Sequence, residues 1–250
     1  MEDLQLLIDL HQGTLHQGPG SEGTTLKAFG LTGLDPEATL AVGDFGCGTG
    51  SAAIALAHHL PHATIQAVDL CAEFIDILQQ RIQSDHLTDR LSALTGSIDD
   101  LPFADESFDL IWSEGAIYNI GFEAGLTYWR QLLRDRGLIA VSEITWLTAS
   151  RPAEIDEYWQ NEYPEIGTVA NKLSVIERQG FSPLAFFVLP PACWLDHYYG
   201  PLEQKFAAFL EHHGHSDQAQ ALIASQQQEI ALYRTYQAYF SYGFYIAQKV

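Results

Sequence analysis

Apolar positions along the chain fall into short runs separated by segments with helical spacing. Thr39 to Phe45 reads as a buried strand, although Gly43 weakens the run, and glycine-rich residues 46–50 follow at once. Ser51 to Leu60 supplies good helix formers, with Ile54, Leu56 and Ala57 available for one face. Thr64 to Leu70 predicts a second strand that ends in an acid. Glu73 to Gln83 then sets Phe74, Ile77, Leu78 and Ile82 at helical spacings, as a helix lying on a sheet would. Leu91 to Thr95, Phe108 to Trp112 and Leu138 to Ser142 are further strands, with a helix from Gly121 to Leu133 before the last. The strands are apolar runs, not two-residue alternations, and they alternate with helices. That predicts an α/β fold whose parallel strands are covered on both faces.

Beyond Thr148 the pattern loosens. Pro152 to Trp159 and Ala170 to Gln179 read as helices, Pro183 to Leu189 as a strand, Pro201 to His212 and His215 to Phe240 as two helices, and Tyr242 to Val250 as a closing strand. Near the other end, His16 to Thr25 (HQGPGSEGTT) reads as a loop or lid. One domain over 1–250 is expected, with an N-terminal helical and lid segment (1–37), a core (38–147), and two additions (148–169 and 190–240) forming a cap.

Composition narrows the partner. The 250 residues are 47% apolar, with 32 Asp and Glu against 12 Lys and Arg and a formal charge of −20. Such a chain folds, but its field repels phosphate backbones and anionic membranes, so a small molecule is the expected partner and nucleic acid is not. Cys47, Cys71 and Cys193 are too few for a disulfide framework, and the start of the chain carries no basic region before its apolar residues. With no apolar run of the roughly 20 residues a bilayer requires, a cytoplasmic protein without membrane attachment is expected; a homodimer is left open. No metal is expected, because His58 and His59, and the group His212, His213 and His215, lack the thiolate or carboxylate spacing of a zinc site.

The most informative stretch is Asp44 to Gly50 (DFGCGTG), where three glycines at alternate positions join a strand to a helix. Glycines there permit close backbone approach to a ligand, and the helix start offers unpaired N–H groups. Asp69 ends the next strand at a spacing that suits a carboxylate accepting hydrogen bonds from a ribose diol. These elements leave a dinucleotide and another adenosine-containing cofactor both open, although the glycines do not follow the GxGxxG spacing that cradles a pyrophosphate.

With these motifs the chain resembles the class I S-adenosylmethionine-dependent methyltransferases, and among them the small-molecule enzymes of ubiquinone and menaquinone biosynthesis. DFGCGTG (44–50) is similar to the family's first motif, Asp69 to its ribose-binding acid, and GSIDDLPF (96–103) to the segment around adenine. FDLIW (108–112) and RGLIAVS (136–142) are similar to the fourth and fifth strands. The resemblance implies a Rossmann-like seven-stranded sheet with its last strand antiparallel, S-adenosylmethionine as cofactor, and methyl transfer to a small, aromatic or apolar acceptor. It places Asp44, Phe45, Gly46, Cys47, Gly48 and Gly50 around the methionine part, Asp69 on the ribose, Leu70 on an adenine face, and Ser97 and Ile98 at the adenine edge. Where the family often has an acid, this chain has Ser97, with Asp99 nearby. Ser113, Glu114 and Gly115 fall near the transferring methyl.

A sulfonium methyl is already activated, so the protein has mainly to align an acceptor and exclude water. Glu114, Glu143, His197 and Tyr118 are candidates for assisting proton removal, and Tyr118 with Asn119 for positioning the acceptor. Trp146, Trp194 and Tyr198 are candidate acceptor contacts, alongside Trp159 and Tyr199. Methylation of RNA or protein would need a basic track, of which Arg130, Arg134 and Arg136 are the only hint; a cofactor-binding regulatory protein that transfers nothing is the other alternative.

Overall fold

In a computed structural model that describes residues 2–250, the central feature is a twisted sheet. Its strands are β1 (Ala41–Phe45), β2 (Thr64–Asp69), β3 (Leu91–Thr95), β4 (Phe108–Glu114), β5 (Leu133–Trp146), β6 (Gly167–Thr168), β7 (Phe181–Val188) and β8 (Phe240–Lys249). The order across the sheet is β3-β2-β1-β4-β5-β8-β7, and the dipeptide β6 pairs with the end of β5. The first five strands are parallel, and β8 runs antiparallel to both β5 and β7. The α/β class and the antiparallel last strand are therefore as expected, and β6 is an addition the apolar pattern did not announce.

Apolar runs are needed because both faces of the sheet are covered. In β4 the side chains alternate, Leu110 and Trp112 entering one core and Ile111 the other. The first core receives α2 (Glu22–Thr32), α3 (Ser51–His59) and α4 (Ala72–Ser84) through Phe29, Leu56 and Leu78. The second receives α5 (Phe122–Leu132) and α7 (Val169–Arg178) through Trp129 and Ile176. Added to the first face are α1 (Glu2–His11), α6 (Ala153–Glu162), and the C-terminal helices that run from Pro191 to Tyr236.

Several boundaries differ from the sequence reading, each for a local reason. The loop at His16 ends at Ser21, whose hydroxyl accepts from the Thr24 N–H in a capping box that starts α2. Strand β5 is longer than Leu138 to Ser142 because β8 pairs with it from Leu138 to Trp146. The helix expected from His215 to Phe240 is α11 (Asp217–Tyr236), capped by Ser216, while Phe240 pairs with Trp146 as the first residue of β8. Between Pro191 and Glu203, two short helices, α8 (Pro191–Trp194) and α9 (Gly200–Glu203), flank a π-helical turn over Leu195–Tyr199. A third short helix, α10 (Phe206–His212), precedes α11. No described helix is long and apolar enough to cross a membrane.

Candidate active site

Strand β1 ends at Phe45, and the chain turns sharply through Gly46, Gly48 and Gly50, with φ of 78°, 54° and 85°. Those positive values favour glycine, and packing adds to the requirement. A Cβ on Gly46 would overlap Ala116 Cβ, and one on Gly50 would overlap the Leu78 side chain of α4. The loop is anchored by its own amides: Gly46 and Cys47 donate to Val68 O at 2.8 and 3.0 Å, and Gly48 donates to Asp69 Oδ2 at 2.8 Å. Asp69 Oδ1 also accepts from Cys71 N at 2.9 Å. Two backbone donors thus fix the carboxylate at the end of β2, while its burial works the other way and raises its pKa.

Beneath the loop lies Asp44, 1% exposed, with Oδ2 lacking any hydrogen-bond partner. Burial, with Glu114 and Asp69 nearby, pushes its carboxyl well above the usual carboxylate range. An ionised carboxylate there calls for a cation. Cys47, 9% exposed, is pushed up by burial and by Asp44 and Asp69, so it stays a thiol.

A cavity of about 840 Å³ opens at the carboxyl ends of β1, β2 and β4. It brings together Asp44, Gly46, Cys47, Gly48, Asp69, Leu70, Ser97, Ile98, Glu114, Gly115, Tyr118, Asn119, Trp194 and Tyr198 of the residues singled out above. Glu114 is held by its Oε1, which accepts from Thr25 Oγ1 at 2.7 Å and Trp112 Nε1 at 2.8 Å, and burial raises its pKa. Tyr118 and Asn119 sit on a 3₁₀ turn (Ile117–Ile120) after β4, where the Asn119 amide donates to Ala116 O at 3.0 Å.

Several of the singled-out residues do not line the cavity. Phe45 packs with Phe108 and Trp129 on the opposite face of the sheet, and Ser113 Oγ donates to Phe45 O at 2.7 Å. Gly50 packs against α4, and Trp146 is 2% exposed beneath the Arg151 guanidinium, 3.9 Å from its ring centroid. His197 lies outside, edge-on to His16, whose pKa falls to about 4 through burial with His197 and Arg81 adding to it. Glu143 is absent from the cavity too, because Lys172 Nζ donates to its Oε1 at 2.7 Å in a buried ion pair.

Other wall residues carried no signal of function in the sequence. The segment after α1 folds over the glycine loop: Thr49 N donates to Gln17 Oε1 at 2.9 Å and Ser51 Oγ donates to Leu15 O. From α6 and α11 come Tyr158, Glu162, Gln226 and Glu229, and from β8 comes Tyr242. The polar Gln226 on the same helix face as Ile223 and Ile230 was the one available clue.

Residues 42–137 match the family model for a methyltransferase domain. The chain is 30% identical over 132 residues to the demethylmenaquinone methyltransferase of Porphyromonas gingivalis, covering 52% of this chain and 51% of that one. It thus spans about half the length of the curated relatives it matches. Among solved structures, an S-adenosylmethionine-dependent methyltransferase of Geobacter sulfurreducens, in complex with S-adenosylhomocysteine, shares the fold with a TM-score of 0.85 at 16% identity, covering 98% of each chain. The [4+2]-cyclase SpnF shares it at a TM-score of 0.76 and 19% identity, covering 100% of this chain and 93% of that one. The matched segment contributes the glycine loop, Asp69 and the 3₁₀ turn, whereas Gln17, Trp194, Tyr198 and Glu229 come from outside it.

Proposed function

We propose that the protein transfers a methyl group from S-adenosylmethionine to a small organic acceptor. The observation that carries this is the pairing, in one cavity, of the buried carboxylate of Asp44, whose Oδ2 lacks a donor, with the glycine loop and the doubly anchored Asp69. These residues fit the cofactor. Asp44 would take its ammonium, with Gly46, Cys47 and Gly48 against the methionine chain, and Asp69 keeps lone pairs for the ribose hydroxyls. Leu70, 64% exposed, would cover one adenine face, with Ser97 and Ile98 at its edge. When bound, the cofactor supplies a methyl already activated on a sulfonium.

The chain's own task is then orientation and exclusion of water. Glu114 and Gly115 would flank the reacting end, and Tyr118 and Asn119 would orient the acceptor. Burial raises the Tyr118 pKa, so its hydroxyl stays a donor, and the raised Glu114 carboxyl is the acid on that wall able to take up an acceptor proton. Trp194 and Tyr198 would complete the acceptor side.

The test is incubation with methyl-labelled cofactor and a panel of phenols, quinols, amines, thiols and carboxylates. Label transfer to an acceptor, abolished in Asp69→Ala, is expected. Cofactor binding without transfer to any of them would instead favour a protein that uses the cofactor site for something other than methylation.

A further inference from the structure

The acceptor end of the cavity has a chemistry of its own. Carboxylates line the cavity from both ends, Asp44, Asp69, Asp99 and Glu114 around the loop and Glu162 and Glu229 at the far wall. No Lys or Arg lines it among the described residues. The two acidic groups are separate: Asp44 feels Glu114 and Asp69, whereas Glu229 is hydrogen-bonded by Tyr199 and feels Glu162. Cofactor cations therefore answer the first group and leave the second unmatched.

The far wall is built. Glu229 sits on α11, where its Oε1 accepts from Tyr199 Oη at 2.8 Å. The π-helical turn lets consecutive residues serve the same centre, Tyr199 on Glu229 and Tyr198 on the cavity wall. Tyr118, Tyr158 and Tyr198 all lie close enough to Glu229 to feel its charge, and Trp159 lines the same cavity. One turn earlier on α11, Gln226 is 9% exposed, lines the cavity, and leaves its buried Oε1 without a donor. An acceptor oxygen on Gln226 and a carboxylate on Glu229, framed by aromatic rings, form a site for an N–H-bearing or quaternary cation. Aromatic faces attract organic cations, most strongly when desolvated. A metal ion is the poorer fit, since no cluster of three or more His, Cys, Asp or Glu with metal-binding geometry occurs among the described residues.

From this we infer that the acceptor carries a cationic nitrogen, held by Glu229 and Gln226 within the cage of Tyr118, Tyr158, Tyr198 and Trp159. The inference rests on the proposed methyl-transfer reading for what the bound amine is presented to, but the binding site itself does not need the cofactor. Anionic acceptors, such as carboxylates and phosphate esters, would meet Glu229 and Glu162 with no Lys or Arg on the wall to offset them.

The experiment is calorimetric titration of the 250-residue chain with benzyltrimethylammonium, its neutral carbon isostere neopentylbenzene, and phenylacetate, each with and without saturating S-adenosylhomocysteine. The cation should bind at least tenfold more tightly than the neutral isostere, and phenylacetate should not bind. Glu229→Gln should weaken the cation at least tenfold while leaving S-adenosylhomocysteine affinity unchanged; Tyr158→Leu, which keeps the acid and removes a ring, should weaken it several-fold. Equal affinity for cation and isostere, no cation binding, or an unaltered cation affinity in Glu229→Gln would overturn the inference. Failure of S-adenosylhomocysteine to bind while the cation still does would count against the cofactor reading alone.

Discussion

The glycines of the loop are required for different reasons, and single substitutions separate them. At Gly46 a methyl group meets the Ala116 Cβ on a rigid turn, and φ is positive. Left-handed backbone costs about 1–2 kcal/mol and overpacking about 1–3 kcal/mol, so Gly46→Ala should lose about 2–5 kcal/mol in urea denaturation. Adding Ala116→Gly should recover the packing part only. At Gly48 the same methyl meets the end of the flexible Gln17 side chain, and the loss should be smaller. Asp44 gives the opposite sign. Its folded pKa is raised, so the favourable state is the protonated one below the ordinary carboxylate range, and stability is lost as pH rises through the raised value. Asp44→Asn should therefore be more stable than the parent at pH 8 without ligand, with the gap closing as the pH falls to the ordinary carboxylate range. The same variant should bind cofactor more than tenfold more weakly, showing that the charge is kept for function.

At the scale of elements, the apolar runs made the strands readable because each is buried on both faces, and the glycine loop was readable because positive φ demands glycine. Contacts distant in sequence were not. Gln17 reaches Thr49 across a separation of 32 residues, and nothing near residue 17 signals it. Trp146 looked like an acceptor contact because tryptophan suits a binding wall, yet extension of β5 along β8 draws it into the core. Glu143 looked like a base because it follows a strand end; α7 brings Lys172 to it instead, 3% exposed against a carboxylate at 0%. Removing one partner of such a pair strands the other charge. Lys172→Met should destabilise by about 3–5 kcal/mol, and Lys172→Met with Glu143→Leu should regain most of it, both measured by urea denaturation.

Across the whole molecule, the −20 charge is not evenly meaningful. Most of it is solvated surface, but part converges on the cavity, where it suits a cationic ligand and repels a polyanion. The N-terminal segment lines that cavity and is held on two sides, Thr49 N donating to Gln17 Oε1 and Lys205 donating to the carbonyls of Leu10 and Gln12. Gln17→Ala should weaken cofactor binding about three- to tenfold while leaving the unfolding midpoint close to the parent's, since a single neutral hydrogen bond contributes about 1 kcal/mol. In hydrogen exchange, residues 12–20 should slow on cofactor addition in the parent and less so in this variant. The central claim is that the glycine loop, Asp44 and Asp69 form one cofactor site, and calorimetric titration with S-adenosylhomocysteine tests it most directly. One site per chain is expected in the parent, weakened more than tenfold in Asp44→Asn and in Asp69→Ala; a folded parent that binds none, or variants that bind as the parent does, would contradict it.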